Sequence, residues 1–138
     1  SRLAGLAEAL DTRAIHRFAI ANPEHAPYGE RAKAALMAAG VWEAAQKRLV
    51  LGDTVSQAAQ FVVSGAAEAG LVALSLVRSP MLEGRVSSAV VDDGLAAPLR
   101  QTAVTLARAR APARAFAAYI DSEPARQVLD RFGFGRGA

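Results

Sequence analysis

A chain of 138 residues that is 52% hydrophobic but only 6% aromatic is long enough for one domain, and its core must come from Ala, Val and Leu. Its 16 Lys and Arg are nearly balanced by 13 Asp and Glu, and the basic residues are spread out, so the net charge of +3 implies no nucleic-acid partner. The lack of cysteine excludes disulfides and thiolate metal sites, and no apolar run reaches the roughly 20 residues that span a bilayer.

The chain opens with "SRLAGLAEAL", without an initiator Met or a charged-then-apolar leader, and reads as a mature protein or a piece of a longer one. Leu3, Leu6 and Leu10 have helical spacing. "HRFAIAN" (16–22) is short and apolar between polar flanks, as a buried strand is. The loop "NPEHAPYG" (22–29) then opens a helix running to Gly40, which suits a left-handed terminator. "VWEAAQ" (41–46) adds a helical turn or two, and "KRLVLG" (47–52) reads as strand. "DTVSQAAQFVVSG" (53–65) is a helix capped by Asp53 or Thr54 and stopped by Gly65.

"AGLVALSLV" (69–77) starts as a strand, "RVSSAVVDD" (85–93) is another, and "PLRQTAVTLARA" (98–109) is extended, with β-branched Thr102, Val104 and Thr105. From Pro112 two helical pieces follow, the second with Pro124 in its first turn. Strands alternating with helices give an α/β fold, a mainly parallel sheet flanked by helices.

Twice a buried strand runs into a short polar loop that opens a helix, at "AIANPEHAPYGERA" and at "LVLGDTVSQAA". In parallel sheets such loops lie at the carboxyl ends of the strands, where ligands bind. Helix starts leave N–H groups unpaired and carry about half a positive charge. Two facing one crevice make an anion site that needs no Lys or Arg, although many capped helices bind nothing. Pro23 and Pro27 stiffen the first loop, Gly29 permits close backbone approach, and Tyr28 adds a hydroxyl. Thr54, Val55 and Ser56 offer N–H groups in the second.

Other candidates have plainer readings. His25 and His16 are the only imidazoles, and a loop hydrogen bond and a strand start account for them. Asp53, Glu83, Asp92 and Asp93 stand at a cap and in turns, where acidic residues are expected, so no catalytic pair is assigned. "ARARAPAR" (107–114) is a solvated strand end and helix start rather than a phosphate-tracking patch, and "GAAEAG" (65–70) is not a phosphate loop. Trp42 packs at a helix junction, Phe61, Val62 and Leu71 are core, and Phe132 and Phe134 anchor the last helix.

The segments "NPEHAPYG", "DTVSQAAQFVVSG", "AEAGLVALS" and "SEPARQVLDRFGFG" occur in the order in which similar segments occur in the molybdate-binding proteins of bacterial ABC importers. The chain resembles that family from about residue 14 to 135. The resemblance implies one lobe of a type II periplasmic binding protein fold, with residues 1–97 as its second lobe. Residues 98–138 would be a return crossing strand and C-terminal helices that pack on a first lobe, with a hinge near residues 95–102. It implies no enzyme and no cofactor, but a ligand, molybdate or tungstate, held by neutral donors.

The family's donors map onto Tyr28 and, through its backbone N–H, Val55. Pro27, Gly29 and Thr54 flank them, and Ala73 stands where some members place a tyrosine, so Tyr28 would have to replace that hydroxyl. Nothing here resembles the first lobe, so the chain would carry about half of the site and bind molybdate weakly or not at all by itself. Expected partners are the oxyanion and an ABC permease, not nucleic acid, with self-association through the exposed C-terminal helices. The location would be periplasmic, or extracellular and membrane-anchored. The same fold also serves as the ligand-sensing effector domain of some transcription regulators.

Overall fold

The computed structural model describes residues 3–91 and 93–135. Two compact units divide the chain between Leu99 and Arg100. The first unit begins with helix α1 (Ala4–Asp11), strand β1 (Phe18–Ala21), helix α2 (Pro27–Ala38) and the short helix α3 (Trp42–Gln46). Strand β2 (Leu49–Gly52), helix α4 (Val55–Val63), strand β3 (Ala69–Gly70) and the single-turn helix α5 (Leu74–Val77) follow, with a 3-10 turn at Asp93–Leu95.

The sheet order is β2-β1-β3 and both pairings are parallel, Phe18 standing opposite Leu49 and Ala69. Parallel neighbours need crossovers, and α2 with α3 supplies one while α4 supplies the other. All four residues of β1 are buried. Because side chains alternate along a strand, β1 serves two cores. Phe18 and Ile20 join Leu10, Ala32, Leu36, Val41 and Ala45 on one face. Ala19 joins Ala58 and Ala67 of the α4 side on the other.

Leu10, Ile20 and Leu36 are almost wholly enclosed, and each stabilises the fold by about 1.5–3 kcal/mol relative to exposure. The second core is built of alanines, which lets α4 lie close to the sheet. Phe61, Val62 and Leu71 only rim these cores and are half-buried, less enclosed than their apolar character suggests. Gly40 and Gly65 end α2 and α4 at φ +71° and +76°, as terminators do.

Two expected strands do not form. Residues 85–91 take no regular secondary structure, and neither does 97–106. Thr102, Val104 and Thr105 are exposed, and a β-branched run becomes a strand only where a neighbouring strand takes up its N–H and C=O groups. "AGLVALSLV" is strand for two residues only and then turns into α5.

The second unit contains helices α6 (Ala111–Ile120) and α7 (Glu123–Arg131), each with a proline in its first turn. Arg114 donates from Nε and Nη2 to the carbonyls of Ala109 and Ala107, at 3.1 and 2.9 Å. Arg114 of the basic stretch therefore fastens a helix start. After α7 the N–H of Phe134 returns to the Leu129 carbonyl at 3.0 Å, with Gly133 at φ +82°. Phe116, Tyr119, Val128 and Leu129 are left exposed.

Candidate functional site

The first junction begins where β1 ends. Asn22 extends the ladder by donating its N–H to the Gly52 carbonyl at 2.7 Å. Its side-chain Oδ1 then accepts the Glu24 N–H at 2.9 Å, an Asx turn. Its carbonyl accepts the N–H groups of Ala26 at 2.9 Å and His25 at 3.4 Å. The donors of the loop are thus consumed locally before α2 starts. Ala26, at the N-cap, has no side-chain acceptor, and Pro27 follows in the first turn without an N–H.

Glu30 is the first residue of α2 to find a helical acceptor, the Ala26 carbonyl at 3.0 Å. The N–H groups of Tyr28 and Gly29 meet no protein acceptor among the described residues and stand open at the helix start. Tyr28 is half-buried and Pro27 exposed.

Gly29 permits a close backbone approach, and the backbone in question is that of the chain itself. A Cβ built on it would lie 2.6 Å from the Asn22 carbonyl carbon and 2.7 Å from its oxygen, and closer still to the Ala21 oxygen. The backbone that approaches Gly29 is the end of β1, so its missing side chain is a packing requirement.

The second junction repeats the pattern with different side chains. Thr54 is the N-cap of α4, and its Oγ1 accepts the Gln57 N–H at 3.1 Å. Gln57 reaches back, its Oε1 accepting the Asp53 N–H at 2.6 Å. This is a capping box displaced by one residue, since the reciprocal bond usually goes to the N-cap itself. Ala58 makes the first helical bond, to the Thr54 carbonyl at 3.1 Å. The N–H groups of Thr54, Val55 and Ser56 meet no protein acceptor among the described residues, with Val55 half-buried.

The topology brings these helix starts together. All three strands point the same way, so α2, α4 and α5 all begin at the carboxyl edge of the sheet. From neighbouring strands, α2 departs over the Phe18–Ile20 face and α4 over the Ala19 face. That divergence between β1 and β2 is a topological switch point, where open α/β sheets hold ligands. Tyr28, Pro27, Gly29, Thr54 and Val55 flank it. Ala73 starts α5 on the far side of β1 and is buried, its carbonyl accepting the Leu76 N–H at 3.0 Å. The methyl group of Ala73 offers a ligand no donor.

The remaining candidates fall elsewhere. His25 is exposed, and its part in the loop is its backbone N–H. Trp42 packs against the first core, with the Lys33 ammonium 5.2 Å from its ring centre. Asp92 lies outside the described residues. Among those described, no group of three or more His, Asp or Glu side chains is placed to hold a metal ion. No described helix is long and apolar enough to cross a membrane.

Three residues that position the edge were not singled out from sequence: Asn22, Gln57 and Glu68. Gln57 was legible in the T-x-x-Q spacing of Thr54 to Gln57. Glu68 was not, because it acts across 51 residues of chain, taking the N–H of Arg17 at 2.7 Å and of His16 at 3.1 Å. These bonds, with the Arg17 guanidinium at 3.6 Å, hold its carboxyl below the usual carboxylate range.

The family model described as bacterial extracellular solute-binding protein matches residues 2–135. The molybdate-binding protein ModA of Azotobacter vinelandii is 39% identical over 129 residues, covering 91% of this chain and 51% of that protein. ModA of Rhodobacter capsulatus is 34% identical over 122 residues, covering 87% and 47%. The solved structure of the Azotobacter vinelandii periplasmic molybdate-binding protein superposes with a TM-score of 0.78 at 26% identity, covering 95% of this chain and 58% of that one. The chain spans about half the length of the curated relatives it matches.

Proposed function

The chain belongs to the bacterial extracellular solute-binding proteins, a family of binders rather than enzymes, and from that premise we propose that it contributes one wall of a site for a tetrahedral oxyanion, molybdate or tungstate, in ABC-transporter uptake. The observation that carries this is the pair of helix starts flanking the switch point. Among the described residues the first leaves two N–H groups without a protein acceptor, of Tyr28 and Gly29, and the second three, of Thr54, Val55 and Ser56. In this reading Tyr28 and Gly29 donate from α2 and Val55 and Ser56 from α4. Thr54 holds the second start in shape, and the Tyr28 hydroxyl takes the place of a donor that Ala73 lacks.

Such donors suit an oxyanion for a definite reason. Backbone N–H groups at a helix start carry positive potential without a proton to lose, so they bind a dianion without a titratable partner. Affinity then stays nearly flat between about pH 6 and 9, the range over which molybdate remains a dianion and amides do not titrate. A hydrogen bond to a charged group contributes about 1.5–3 kcal/mol, and the opposite wall, which would supply its own donors, belongs to residues outside this chain. Residues 1–97 form the second lobe in this proposal, and residues 98–138 connect to and cover the first.

The whole protein would work outside the cytoplasm and hand its oxyanion to a membrane permease, without making or breaking a bond. Phe116, Tyr119, Val128 and Leu129, exposed on the second unit, support self-association of the 138-residue chain, which sedimentation velocity over a concentration series tests: a pure monomer throughout refutes it. The site is tested by titrating 15N-labelled chain with sodium molybdate. Selective millimolar shifts of the Tyr28, Gly29, Val55 and Ser56 amides are expected. Silence at those four amides refutes the site, and submicromolar affinity of this chain alone refutes the half-site.

A further inference from the structure

We draw no further inference here: the strongest candidate, the uncharged surface stretch 101–106 of the second unit with Val104 and Leu106 exposed, carries nothing, because nothing in the structure shows which strand or surface covers it.

Discussion

Replacing Gly29 with alanine separates two accounts of one residue. If the glycine admits a ligand, the alanine variant folds normally and binds poorly. If it admits the end of β1, the variant is destabilised with no ligand present. The added Cβ would sit 2.6 Å from the Asn22 carbonyl carbon and 2.7 Å from its oxygen. Both are backbone atoms within the turn that Asn22 closes, so no side-chain rotation relieves the overlap. Overpacking costs about 1–3 kcal/mol, and rigid neighbours place this case at the upper end. Alanine returns up to ~1 kcal/mol of helix propensity, leaving a net loss of about 2 kcal/mol.

Gly5 supplies the control, because it lies in α1, is exposed, and has nothing within 4 Å of a built Cβ. Gly5→Ala should gain about 0.5–1 kcal/mol. Urea unfolding of the two variants beside the original measures both numbers, and a net loss of that size lowers the thermal midpoint by roughly 8 °C. Equal midpoints for Gly29→Ala and the original would refute the packing account.

Two further outcomes follow from contacts at the other end and the side of the sheet. Glu68 is held below the usual carboxylate range by the backbone N–H of Arg17 first, and also by the Arg17 charge and the His16 N–H. A depressed folded-state pKa means that the ionised carboxylate stabilises the fold above the ordinary range and that this contribution fades as pH falls through the folded value. In urea titrations at a series of pH values, the original should therefore exceed Glu68→Gln near neutrality and converge with it in acid, as pH falls through the lowered folded-state value; a difference independent of pH refutes the assignment. Lys33→Met removes the ammonium over the Trp42 ring, at a cost of about 0.5–1 kcal/mol, and should change the emission of the chain's single tryptophan. An unaltered spectrum and midpoint would mean that the contact is not populated.

The first 77 residues were far more legible than the rest, for a physical reason. Their signals are local: three leucines at helical spacing, Gly40 and Gly65 at left-handed stops, Thr54 before an apolar helix. A helix start carries its cap within four residues, and a buried central strand shows as an apolar run. Residues 85–91 and 98–106 failed because a strand is a relation between segments. The Val and Thr content of those stretches records a preference that only a neighbour can realise. Glu68 was hidden in the same way, since no local pattern announces a carboxylate whose partners are His16 and Arg17. Gly29 was legible as a point of close backbone approach, although sequence does not say which backbone comes close.

An open N–H at an exposed helix start is not in itself a sign of function, because water satisfies it at little cost. What distinguishes this sheet edge is the order in which acceptors are used. Asn22 spends its side chain and its carbonyl on Glu24, His25 and Ala26, and Gln57 and Thr54 satisfy Asp53 and each other. Both loops are thus held by neutral acceptors, and among the described residues the N–H groups of Tyr28 and Gly29 and of Thr54, Val55 and Ser56 are left without a protein acceptor. The carboxylates nearest these donors in the sequence, Glu30 and Asp53, are exposed and take no part in the cap bonds. α2 has Glu30 in its first turn, and α4 has Asp53 immediately before its N-cap. Each start thus has one exposed acidic residue beside its backbone donors, Glu30 for α2 and Asp53 for α4, so charge alone does not rank the two. An oxyanion wall built this way should lose affinity from a further negative charge introduced beside either start.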